Sequence, residues 1–361
     1  MQSLLAFSAR FAVVACVLLA FLVYEKVWLG LSLLATSRPS MGPYFELRTL
    51  VAFLLSAWLV AGLFRRRDTH KRLGWHLFAG ARRAAAAGSL ALAIAFVAVF
   101  MLDPGLFRTL AAEDGVVEWT SALLPLLASL VFARAALMVW RAQGRGGAYR
   151  FSLVAACGLS AVLFLMAMEE ISWFQRVFDV PTPDLFAGNS QNETNLHNFA
   201  SNPIGTAHKL VGFAALILLP FIRDVLPKHL TGNVLFDFVP SRFVVALSAP
   251  LAGFNYNVWN FMPIQMMMFM TVLILLCYAW MRLLRAKGET FIFLGAALVV
   301  TVSQVLFLAF GDHFVRLWDV TEFQEFFIAL GLLALAMEGS SRLQERYAVA
   351  PSLHGPTTLV A

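Results

Sequence analysis

RFSLVAACGLSAVLFLMAME, residues 150–169, carries charge only at its two ends, Arg150 and Glu169. A helix rises about 1.5 Å per residue, so about 20 apolar residues cross the hydrocarbon core of a bilayer. This run predicts a membrane span, and the same test applied outward along the chain finds nine more. The ten expected spans are 11–34, 46–64, 84–103, 117–139, 150–169, 204–222, 242–259, 262–284, 290–311 and 322–339. In hydrocarbon, every backbone N–H and C=O must find its partner within the spanning structure, and runs of this length do so as helices. The expected fold is an all-α polytopic transmembrane bundle.

Composition points the same way. Of 361 residues, 60% are hydrophobic and 13% charged, against roughly 25% charged in a soluble domain. Thirty-three Phe and nine Trp suit lipid-facing helices and interfacial belts. A net charge of +6 raises the question of nucleic acid. The basic residues, however, cluster at the ends of apolar runs, as membrane anchors do, so no nucleic-acid partner is expected. Cys16, Cys157 and Cys277 lie inside apolar runs without metal-ligand spacing. Arg10 precedes an apolar stretch that no small-residue cleavage site follows closely, which reads as a retained first span. Glu25 and Lys26 interrupt that span. Pro250 and the run Asn255, Tyr256, Asn257 predict a kink or a half re-entrant end in the seventh. No repeat, low-complexity tract or soluble domain is visible. Residues 1–343 are expected to form one membrane domain, and 344–361 a short disordered cytoplasmic tail.

Lys and Arg in the loops set orientation. With the N-terminus in the cytoplasm and ten alternating spans, inward segments hold 20 of the 27 basic residues, among them Arg65, Arg66, Arg67, Lys71, Arg72, Arg82 and Arg83. Outward segments keep 15 of the 21 acidic residues. Both termini are therefore expected to be cytoplasmic. The Ala- and Arg-rich composition suggests a bacterial inner membrane.

That topology gathers chemistry at the outer boundary. Only His197, His208 and His313 lie outward; His70, His76, His229 and His354 do not. The island between the fifth and sixth spans, MEEISWFQRVFDVPTPDLFAGNSQNETNLHN (168–198), is dense in Glu, Asn, Gln, Arg and His and forms the core of an outward loop, 170–203. Ionisable groups at a bilayer edge are expensive and usually functional. If the fifth helix continues through Arg176, then Glu169, Ser172, Trp173 and Arg176 share a face and Glu170 turns away toward Phe174. Glu169 or Glu170 is then a candidate base or metal ligand; the plainer reading is a helix end with Trp173 in the headgroups and Glu169 paired to Arg176. His197, flanked by Asn195 and Asn198, is a candidate acid–base group or ligand. No HExxH or paired-His spacing is present, so a metal site, with zinc one candidate ion, would have to be assembled from Glu170, His197, Asp312 and His313. Glu322 and Glu325 share a helix face near the start of the tenth span, where a capping role competes with a functional one for Glu325. Arg176, Gln175, Asn195, Asn198, His208 and Lys209 are candidate substrate contacts. Asn192-Glu193-Thr194 fits a glycosylation acceptor, a triplet too common to carry weight. Met266–Met268 with Met270 reads as helix packing.

EEISWFQR followed by Gln191, Glu193, Asn195, Leu196, His197 and Asn198 resembles the motif of a family of bacterial multi-pass membrane proteins. The likeness covers about thirty residues, with weaker echoes at Glu113-Asp114-Gly115 and Glu322. Gly commonly stands in that motif where this chain has Phe174, which suggests a narrowed pocket. The resemblance implies no established activity. Three functions follow as expectations: an enzyme hydrolysing or transferring a group on a lipid or lipid-linked substrate, a proton-coupled carrier, or a docking partner in an envelope complex.

Overall fold

A computed structural model describes residues 2–64, 80–186, 188–189, 193–226, 233–283 and 287–347. The basic cluster 65–72, His70, His76, Gln191, Asn192, Lys228, His229, Arg285 and the end of the tail with His354 lie outside them. Among the described residues the chain is helical without a strand, and ten helices are long and apolar enough to cross a membrane. They are α1 (Gln2–Val27), α2 (Pro43–Phe64), α3 (Gly80–Leu102), α4 (Val116–Arg141), α5 (Gly147–Glu170), α6 (Ser201–Val225), α7 (Val234–Gly253), α8 (Met262–Arg282), α9 (Lys287–Ala309) and α10 (Asp319–Tyr347). A short helix, Pro104–Leu110, joins α3 to α4, its first turn capped by Asp103 Oδ1 accepting from Leu106 N.

α4 packs along α5 and α10, and α8 along α2 and α9. α7 sits among α3, α9 and α10, and its residues Val244 to Ala252 are buried on every side. α1 is peripheral and mainly touches α2. α10 can approach α7 closely because residue 331 is glycine: an added Cβ there would run into Ser248 Oγ and the Leu216 side chain.

Three expectations on the helices change. α1 ends at Val27, short of residue 34. Its Glu25 does not break it, because the carboxylate accepts from Arg48 Nη1 at 2.7 Å and from Tyr44 Oη at 3.1 Å. α10 continues to Tyr347, past the expected boundary at 343, with Arg346 paired to Asp237. α7 is broken rather than kinked: a 3₁₀ turn (Val234–Phe238), an α-helix (Arg242–Ser248) and a second 3₁₀ stretch (Ala249–Gly253) are followed by non-helical Phe254 and Asn255. Pro250 has no N–H with which to continue the α ladder.

The bundle has a basic and an acidic end. Arg82, Arg223, Arg242, Arg282, Arg342 and Arg346 meet Asp224, Asp237, Glu289 and Glu338 at one. Glu118, Glu170, Glu322 and Glu325 lie at the other.

Candidate functional site

The polar island folds back on itself instead of extending α5. The helix stops at Glu170, and Ser172, Trp173 and Phe174 follow with φ of 47°, 55° and 61°. This left-handed turn separates Glu169, Ser172, Trp173 and Arg176, so they do not share a helix face. Glu169 does not pair with Arg176. Its Oε2 accepts from Leu196 N at 2.6 Å and His197 N at 3.1 Å, and its Oε1 from Trp173 Nε1 at 3.1 Å. It fastens the far end of the loop to the end of α5. The Phe174 ring lies against Trp119 and Phe178. Phe174 itself holds φ 61°, a conformation that glycine adopts without strain.

Glu193, buried, is the hub of the loop. Its Oε2 accepts from Ser172 Oγ at 2.6 Å, Asn195 Nδ2 at 2.7 Å and Asn198 Nδ2 at 3.3 Å. Its Oε1 meets Arg176, which also binds Asp114 at 3.0 Å and Glu113 at 3.2 Å. Burial lowers the Arg176 pKa, but hydrogen bonds to Asp114 and Glu113 more than offset this, and the net direction is upward. Gln175 donates to Thr182 Oγ1 at 2.8 Å and accepts from Thr194 N. Gln175, Arg176, Asn195 and Asn198, expected as substrate contacts, are thus committed to holding the loop. Nothing in the residue pattern marked Glu193 as its centre. Because a buried charge stripped of its partners is costly, Arg176→Ala is expected to open the loop. Limited proteolysis within 177–196 should then become faster than in the wild type.

Beneath this loop three half-buried carboxylates converge: Glu170 from the end of α5, and Glu322 and Glu325 from the first turns of α10. One oxygen of each lies within 4.8 Å of the others. Ser121 Oγ donates to Glu170 Oε1 at 3.1 Å. His208 of α6 places Nδ1 3.8 Å from Glu325 Oε1, and its Nε2 is buried without a hydrogen-bond partner. Lys209, 2% exposed, donates to Thr321 Oγ1 at 3.2 Å and lies within electrostatic reach of Glu325 and Glu322. It is therefore not snorkelling toward headgroups. Glu118 accepts from Asp114 N at the start of α4 and also acts electrostatically on Glu170. Carboxylates this close repel, so the cluster needs balancing positive charge from protons, His208, Lys209 or a cation.

Among the described residues, Glu170, Glu322 and Glu325 are the group positioned to hold a metal ion. Such an all-carboxylate set suits a hard divalent cation better than zinc. Of the four ligands expected from sequence, only Glu170 belongs to it. Asp312 pairs with Arg38, and His313 lies against Phe100 and Phe310, because the 3₁₀ turn Gly311–His313 follows α9 rather than α10. His197 sits beside the trio, its Nδ1 3.8 Å from Glu169 Oε2. Glu322 was legible only as a helix cap; its spacing of three from Glu325 was the signal for more.

Burial holds the His197 pKa below 6.5, against the opposing pull of Glu325 and Glu169. The unfolded chain then binds this proton more readily. Stability from this group is complete above pH 6.5 and declines as pH falls through that value toward the lower folded pKa. The difference in melting midpoint between wild type and His197→Gln should shift accordingly across pH 6.5, with the wild type losing ground on the acid side.

Compared with protein-family models, curated proteins and solved structures, the chain finds no match.

Proposed function

We propose that the chain is a membrane-embedded enzyme that hydrolyses, or transfers a group on, a lipid or lipid-linked substrate. The observation that carries this is the meeting of Glu170, Glu322 and Glu325 with His208 at the end of the bundle. Glu325 orients His208 through Nδ1, which leaves Nε2 to take a proton from water or a substrate hydroxyl. Glu170, with Glu322 beside it, returns a proton to the leaving oxygen. His197 and Glu169 border the site. The loop surface supports lipid access: its polar groups turn inward to Glu193, while Phe178 (71% exposed), Leu185 (80%) and Leu196 (64%) point out. An apolar outer surface on a polar loop fits the headgroup boundary. We place this end on the extracytoplasmic side of a bacterial inner membrane, because the opposite end is rich in Arg.

The test is product formation in liposomes of mixed phospholipids and polyprenyl-linked phosphates, read by mass spectrometry. A product formed by the wild type and absent with Glu170→Gln, both folded, supports the enzyme. Unchanged lipids with either protein refute it. Divalent metal content, measured beside Glu170→Ala and His197→Ala, separates two versions. Stoichiometric metal lost only in Glu170→Ala means metal-assisted chemistry; metal-free active protein means acid–base chemistry alone.

A proton-coupled carrier is the second reading, favoured by one observation: Lys209, Asn255, Gln304 and Gln324 continue the polar cluster into the buried interior. Proton flux without lipid turnover would select it.

A further inference from the structure

The break after α7 leaves buried polar atoms of both kinds without partners. Gln324 Nε2 donates to Leu251 O at 2.7 Å and Asn255 Oδ1 at 2.6 Å. Those bonds fix the amide orientation and leave Gln324 Oε1 buried without a donor. Gln304 Oε1 accepts from Asn255 N at 3.3 Å, which fixes that amide too and leaves Gln304 Nε2 buried without an acceptor. Asn257 Nδ2 donates to Thr321 Oγ1 at 3.0 Å, and its Oδ1 is buried and unpartnered. The same Thr321 oxygen accepts from Lys209 Nζ, and this ammonium has two further N–H groups to give.

These residues form one connected patch. Asn255 joins Gln304 to Gln324, one helical turn separates Gln324 from Thr321, and Thr321 joins Asn257 to Lys209. The segment before α2 closes the patch from the acidic end, with Ser37 N donating to Asn257 O at 3.0 Å and Ser40 N to Asn260 Oδ1 at 2.8 Å.

The mixture of orphans selects the ligand. A cation would satisfy only the two amide oxygens, and an anion only the donors Gln304 Nε2 and Lys209 Nζ, leaving those oxygens stranded. Water donates and accepts, and buried water characteristically sits where two to four such groups converge. We propose that the α7 break is a built internal water site, with water bonded to Gln304 Nε2, Gln324 Oε1 and Asn257 Oδ1, adjoining the acid cluster through Thr321 and Lys209. It gives the carboxylates a hydrated neighbour on their buried side, shielded from the loop. Water at this site does not depend on lipid turnover.

Synchrotron hydroxyl-radical footprinting of the full chain in bilayers tests it, because radiolysis of bound water oxidises the side chains beside it. Phe254 and Tyr256, both buried at the break, should be oxidised at rates comparable with exposed Phe178. The equally buried Phe221 of α6 should stay unmodified. In Gln304→Met/Gln324→Met, which keeps volume and removes the polar partners, labelling of Phe254 and Tyr256 should be lost. Wild-type Phe254 and Tyr256 as unreactive as Phe221 would overturn the proposal, and that comparison stands even if the double variant fails to fold. Undiminished labelling in a folded double variant would overturn it as well.

Discussion

Glu325→Gln is expected to lower turnover by about 10²–10⁴-fold, the span typical of a positioned acid–base group, while the protein stays folded. Glu325 has an oxygen within 4.8 Å of oxygens of the other two carboxylates, and its Oε1 lies 3.8 Å from His208 Nδ1. The amide keeps the shape and removes the charge that orients the imidazole. Because that charge matters when the proton moves, the loss should appear in kcat, with KM little changed. Removing a negative charge from a crowded carboxylate group also relieves repulsion, so the melting midpoint should not collapse with the activity. Glu322→Gln, which leaves the Glu325–His208 pair intact, should cost less. Full activity in folded Glu325→Gln would remove this residue from the mechanism.

The largest effect on stability is expected from Arg48→Met. Arg48 and Glu25 are each 1% exposed, paired at 2.7 Å, and Arg48 also donates to Asn260 O at 2.8 Å. Removing the cation strands a carboxylate in a low-dielectric interior, at a cost of about 3–5 kcal/mol. Replacing both partners by uncharged groups should cost far less, so Glu25→Gln/Arg48→Met is expected to recover most of the loss. Equilibrium unfolding in mixed detergent micelles, taken around this double-mutant cycle, measures it. A single variant as stable as the wild type would show that the pair adds nothing to holding α1 on the bundle.

Much of the fold was legible because hydrophobic length is a strong signal: all ten spans overlap helices, most ends lying close to those expected and the larger displacements falling in the first, seventh and tenth. The displacements have physical causes. Glu25 looked like an interruption because its partner, Arg48, lies on another helix. The seventh span could be marked as irregular from Pro250 and the Asn-rich run, but only the packing of Gln304 and Gln324 against Asn255 shows how the break is satisfied. For the site, sequence indicated the right island and assigned some roles differently. Glu169, Gln175, Arg176, Asn195 and Asn198 are polar residues whose partners lie within the loop, and spacing alone cannot separate a brace from a contact surface. The trio was half visible. Glu170 and Glu325 were candidates, whereas Glu322 had an equally good reason to sit in the first turn of α10. Asp312 and His313 belonged to the same end of the bundle but to a different turn.

That Glu170, Glu322 and Glu325 form a single centre can be tested most directly by dicyclohexylcarbodiimide labelling in bilayers after chelation, with the adduct located by mass spectrometry. Oxygens within 4.8 Å of one another leave room for one bulky adduct, so one label per chain is expected, on one of these three residues and sharply reduced in Glu325→Gln. Labels spread over Glu113, Glu118 and Glu169, or independent labelling of all three members in one chain, would contradict it.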